Sequence, residues 1–221
     1  MMRVARMGWV AMATLVGGCT AGTALELAEP VRPAAPLAVQ RLAVLPVTTE
    51  AGSQDAAPVV ARVALDVLGG WSPPADILGP ESVREHLGRA GLAATLARAL
   101  SDYEATGITD ADDMSAVAEA LDTRYFLQLR VAYGESEVLR SEPFDDEVED
   151  ERRRDVLLVV RLWEAGGTAP RWEATARADS ETGFFSNRLP EREAMIEEVA
   201  RRLVERVPLE GAPAATTPSG S

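Results

Sequence analysis

Between Arg124 and Tyr133 apolar and polar residues alternate: Tyr125, Leu127, Leu129 and Val131 fall on one side, Arg124, Gln128 and Arg130 on the other. A period of two belongs to a strand with one buried face, and it rules out an all-helical chain. Phe126 interrupts the polar side, so that face is expected to be partly covered too. Two further strands, Asp155–Glu164 and Arg171–Ser180, flank a Gly166-Gly167 turn and predict a hairpin. In the second of them Trp172, Ala174, Ala176 and Ala178 share the inward side.

Upstream, short apolar runs alternate with helical patterns. Arg41–Val47 is a buried strand candidate, and Ala75–Leu78 is another. Ala57–Leu68 carries Val60, Val63, Ala64, Val67 and Leu68 at helical spacing and is stopped by Gly69-Gly70. Pro80 opens a helix with Val83 and Leu87 that Gly88 is expected to end, and Leu92–Tyr103 forms the next. Asp110 caps Ala111–Leu121, where Met114, Val117, Ala118 and Leu121 make an apolar stripe. The last helix, Glu191–Arg206, has acids in its first turn and arginines in its last, which complements the helix dipole. The resulting order, β-α-β-α-α-α-β-β-β-α, predicts an α/β (α+β) fold with a single mixed sheet of about five strands and helices packed on it.

The ends of the chain read differently. Arg3 and Arg6 precede a ten-residue apolar stretch, Met7–Val16, and then Leu15-Val16-Gly17-Gly18-Cys19. A basic start, an apolar run too short to span a bilayer and small residues at a cleavage point are the parts of a secretory signal peptide. Cys19, the single cysteine, stands where the lipobox of bacterial lipoproteins places the acylated thiol. The expected organisation is therefore a signal peptide at 1–18, a lipidated tether at 19–40, an α/β domain at 41–209 and a disordered tail at 210–221. Thr20–Gln40, rich in Ala and Pro, reads as irregular, reaching ~70 Å extended or ~25 Å as a coil. One diacylated and N-acylated cysteine exceeds the two chains that stable anchoring needs.

Removal of Arg3 and Arg6 leaves 20 of 22 basic side chains against 35 acids, a net of −15. Such a surface repels nucleic acid and anionic lipid, so nucleic acid is not an expected partner. All basic side chains other than His86 are arginine. With Cys19 acylated, no thiol is left for a disulfide, a thiolate metal site or nucleophilic catalysis.

The order of RLAVLPV, ADILGPESVREHL, DMSAVAEALDTRYFLQLRV, LLVVRLWEAGGTAPRWEATA and a final amphipathic helix resembles a known envelope α/β domain. That domain is shared by the N-terminal domain of the Tol system's periplasmic propeller protein, the curli-secretion lipoprotein and lipoprotein activators of peptidoglycan synthases. The likeness covers roughly residues 41–207 and implies a fold and a compartment; fold alone does not set function.

The expected function is a lipoprotein of the bacterial outer membrane whose periplasmic domain binds another envelope protein. Thr20 is not the aspartate that favours inner-membrane retention in such signals. The alternatives are a subunit of an oligomeric outer-membrane secretion channel and an activator of a peptidoglycan synthase. A channel needs strands of about 9–11 residues with lipid-facing alternation, and Gly134–Arg154, the free segment of that length, is charged and lacks it. No enzyme motif, cofactor site or metal site is expected. His86 reads as a structural histidine, and Glu142–Glu151 as a solvated acidic loop followed by Arg152–Arg154. Trp163 and Trp172 are expected to pack across the hairpin, and Phe184-Phe185 is the candidate partner contact.

Overall fold

A computed structural model describes residues 24–28, 30, 35–71, 76–141, 148–181 and 189–210. The elements are β1 (Ala24–Leu27), β2 (Arg41–Val44), β3 (Thr48–Thr49), α1 (Ala56–Gly69), β4 (Asp76–Leu78), α2 (Pro80–Ala90), α3 (Ala93–Thr106) and α4 (Ala111–Ala120). They continue as β5 (Tyr125–Ser141), β6 (Val148–Glu164), β7 (Trp172–Glu181) and α5 (Arg192–Val204). All seven strands form one mixed sheet in the order β1-β7-β6-β5-β2-β4, with β3 paired to β5 beyond the end of β2. β2 runs parallel to β4 and β5, whereas β5, β6, β7 and β1 are antiparallel neighbours.

Both faces carry helices, for the reason the β5 pattern suggested. Leu127, Leu129 and Val131 point to one side with Leu158, Val160, Leu162 and the β7 alanines, under α1 and α5. Phe126 and Trp163 point to the other, where α2, α3 and α4 contribute Val83, Leu87, Leu96, Met114 and Val117. Gln128 is buried on that second face, and its amide oxygen accepts from Trp163 Nε1 at 3.0 Å. A polar residue in the covered row is thus satisfied rather than exposed.

The expected fold class holds, with seven strands in place of about five. One addition is β3, too short to show a period. The other, β1, corrects the irregular reading of Thr20–Gln40: Leu25 pairs with Ala178 and Leu27 with Ala176. Four residues are too few for a periodicity to stand out, yet their two leucines land on small β7 side chains that leave room for them. Leu37 is also fastened, its N–H donating to Pro208 O at 2.9 Å while its carbonyl accepts from Glu210 N–H at 2.9 Å.

Two boundaries also move. α2 runs through Gly88 and stops at Gly91, whose φ of 71° closes the helix, with Leu92 N–H returning to Leu87 O at 2.9 Å. Glu142–Glu151 is not one loop: β6 begins at Val148, and residues 142–147 lie outside the described residues. The β5–β6 ladder is continuous from Tyr125↔Glu164 to Ser141↔Val148. Strands of 17 residues extend about 55 Å at ~3.3 Å per residue.

Candidate functional site

The length of that hairpin makes its distal half the most distinctive surface of the domain. Pairing of β6 with β7 ends at Arg153↔Glu181, and pairing of β5 with β3 ends at Thr49↔Val131. Beyond them, among the described residues, no third strand pairs with β5 or β6. We call this projection, from Glu137↔Arg152 outward, the arm.

Its root is braced from several sides. Ser53 Oγ accepts from Tyr133 N–H at 2.9 Å and donates to Tyr133 O at 3.3 Å, which ties the α1 approach loop to β5. The Arg192 guanidinium lies 3.9 Å from the Tyr133 ring centroid and is forked onto Asp55. Arg154 donates to Pro190 O at 2.7 Å and to Glu135 at 3.3 Å. Burial, and then the neighbouring Glu135 carboxylate, push the Tyr133 hydroxyl above its ordinary value. A Cβ at Gly134 would meet Asp155 Oδ1 at 2.5 Å, so a larger residue there would have to displace the Asp155 side chain.

Between the arm and the α2–α4 layer no described helix covers the sheet's second face. Leu157 is 36% exposed there; Ala132, Val159 and Thr175 are half-buried, and Arg177 and Glu26 are exposed. In register, Ala132 lies beside Leu157, and Leu157 beside Arg177. An apolar strip bordered by charge on a rigid sheet is suited to burying a partner's side chains.

Where this face meets α3, it is closed by a dense ionic cluster. Arg161, with a side chain only 8% exposed, donates to Glu173 at 3.0 Å and to Glu104. Its guanidinium stacks 4.8 Å from the Tyr103 ring centroid, and Tyr103 OH donates to Glu173 at 2.9 Å. Arg130 joins Glu104 at 2.9 Å and Glu50 at 2.8 Å. Burial alone would lower the Arg161 pKa, but the two carboxylates more than offset it and hold the group charged. Nothing in the sequence pattern joins these positions, because the topology brings together residues from four separate elements and the loop after β3.

At the opposite end of the hairpin Glu164 accepts from Arg124 Nε at 2.9 Å and from Arg171 Nη1 at 2.7 Å. Burial would raise its pKa, yet the two arginines hold it below the ordinary value of 4.5. A carboxylate with a depressed folded-state pKa contributes stability above its unfolded pKa and loses it as pH falls through the folded value. Urea titrations of Glu164→Gln are therefore expected to show a lower midpoint than the parent at neutral pH. The gap should narrow as pH falls below the ordinary glutamate range and close only once the parent's own depressed carboxylate is protonated as well.

The residues singled out by sequence fare unevenly. Cys19, Phe184 and Phe185 lie outside the described residues. His86 is half-buried on α2 and its Nδ1 donates to Ser82 O at 2.7 Å, an ordinary helical back-bond. Trp163 and Trp172 do not pack across the hairpin, because Trp172 pairs with Leu162 and the two indoles fall on opposite faces. Trp163 instead meets Tyr103 edge-on, centroids 5.0 Å apart. Among the described residues no group of three or more His, Cys, Asp or Glu is placed to hold a metal, and no helix is long and apolar enough to cross a membrane. An apolar cavity of about 150 Å³, walled by Leu42, Leu68, Trp71, Ile77 and Leu209, sits at the start of β2 and β4.

No family model matches the chain, and no curated protein matches it. Solved structures similar to it include the PelC dodecamer from Paraburkholderia phytofirmans, with 13% identity over 82% of this chain and 94% of that one, at a TM-score of 0.43. Lipoprotein GNA1162 from Neisseria meningitidis is 14% identical over 74% of this chain and 94% of that one, at a TM-score of 0.44.

Proposed function

We propose that this chain is a lipoprotein of the bacterial outer membrane, anchored through Cys19, whose α/β domain binds another envelope protein. The observation that supports binding is the sheet face around Leu157 and Val159, left uncovered by the described helices and flanked by charge. Phe184-Phe185 remains a second proposed contact. No role in this reading requires His86 or any bound cofactor.

The anchor and the contact are tested separately. Cys19→Ser is expected to abolish the added lipid mass and to release the chain from the membrane fraction or leave it uncleaved. A native N-terminus at another residue would overturn the anchor. For the contact, carboxylate-directed crosslinking is required, since the chain has no lysine. Leu157→Arg is expected to stay folded, because the position is a surface one, and to lose the crosslinked adduct. A folded Leu157→Arg chain with the parent's adduct would overturn this face as the contact.

A further inference from the structure

The sheet face around Leu157 carries negative charge that its own side chains do not cancel. One row across β6, β7 and β1 sets Leu157, Arg177 and Glu26 side by side; the next sets Gly134, Asp155 and Asp179 together. The arginines of this face are already engaged. Arg130 holds Glu50 and Glu104, and Arg161 holds Glu104 and Glu173. Arg153 and Arg177 both turn onto Asp179, at 3.1 and 3.2 Å. Asp155, half-buried, and Glu26, exposed, have no ion pair or hydrogen bond among the described residues. Asp155 Oδ1 lies 2.5 Å from where a Cβ of residue 134 would stand, so the glycine lets this carboxylate settle low against the sheet. A carboxylate partly withdrawn from water and without a cation is a ready acceptor for a charged donor.

The form of the partner follows from the sheet. β5, β6, β7 and β1 already pair with one another across these rows, so a partner cannot add a strand here and must lie on the face. From Val159 to Asp155 the face runs four residues, about 13 Å, and from β5 to β1 it spans three strand gaps, about 14 Å. That area fits one helix of roughly 10 Å diameter over about nine residues. The adjoining stretch of the same face is covered in this way by α3, whose Tyr103 and Glu104 close over Arg161. Granted the binding of an envelope protein proposed above, we infer that it covers this face with a basic amphipathic helix. An apolar side chain of that helix lies over Leu157 and Val159, and a lysine or arginine reaches Asp155. The chain's 35 acids against 22 basic residues speed the encounter with such a partner.

The test keeps the full chain in its native membrane. A photoreactive benzoyl-phenylalanine replaces Thr175, which is half-buried beside Val159, and reports a protein on the face whatever its charge. Asp155→Asn is expected to lower the photoadduct several-fold and Asp155→Arg to abolish it. Glu119→Gln, which removes an exposed acid from α4, should leave it unchanged. Raising salt from about 0.1 to about 1 M shortens the screening length from ~10 to ~3 Å and should weaken the parent's adduct. Thermal melting of each variant separates loss of contact from loss of fold. If Leu157→Arg loses the adduct while Asp155→Arg keeps the parent's yield, the basic helix is overturned and the face remains the contact. An adduct that survives both substitutions, or a parent that forms none, overturns the face as well.

Discussion

Leu127→Asp is expected to unfold the domain. Leu127 is fully buried in β5, between Val44 of β2 and Leu162 of β6, on the face packed by α1 and α5. Its surroundings are aliphatic, with Leu42, Val44, Leu129 and Val160 in the same cluster, so among the described residues a carboxylate there has only apolar neighbours. Burying an ionised group without a partner costs several kcal/mol even after the group neutralises by taking up a proton. Against a total stability of roughly 5–15 kcal/mol, that removes most of the folded population. Leu127→Ala, which only leaves a cavity, should cost about 2–5 kcal/mol and remain foldable. Circular dichroism and urea unfolding of both variants are the measurement. A Leu127→Asp chain that melts with the parent would mean that the side chain faces water and that the β5 register is shifted by one.

That register was legible because β5 alternates over Tyr125–Val131 and its neighbours are bounded by turn glycines. The chain order of the larger elements was legible for a related reason: each helix buries enough residues to show its period. Short or two-sided features were not. β1 has four residues, and its pairing depends on the alanine row of β7 across a sequence separation that local pattern cannot bridge. The arm was hidden by composition, since Glu142–Glu151 holds seven acids and charge density reads as solvation. Yet a two-stranded hairpin needs no buried face to keep its backbone hydrogen bonds, and Glu135↔Arg154 and Arg140↔Glu149 are opposite-charge positions in its register. The indoles of Trp163 and Trp172 were misplaced because the turn length sets the hairpin register, and one residue of offset moves a side chain to the other face.

The ionic cluster under α3 was the least legible feature, and it carries the second large effect. Arg161→Met is expected to destabilise the fold by about 3–5 kcal/mol, because the variant keeps the apolar stem while leaving Glu104 and Glu173 facing each other with less compensation. Glu104 retains Arg130 and Glu173 retains Tyr103 OH, so the loss should stop short of complete unfolding. The ion pair itself adds little over a well-packed apolar replacement; the cost arises from the carboxylates left behind. A second variant separates the two. Adding Glu173→Gln to Arg161→Met removes one stranded charge and should recover a measurable part of the loss, whereas Glu173→Gln alone should be destabilising. Arg161→Lys keeps the charge but cannot reach both carboxylates with one planar fork or stack on Tyr103 in the same way, so it should fall between. Urea unfolding of the four variants closes the cycle. An Arg161→Met loss under about 1 kcal/mol, typical of an exposed pair, would show that water reaches the guanidinium and that the cluster is a surface network rather than a buried clasp between α3 and the sheet.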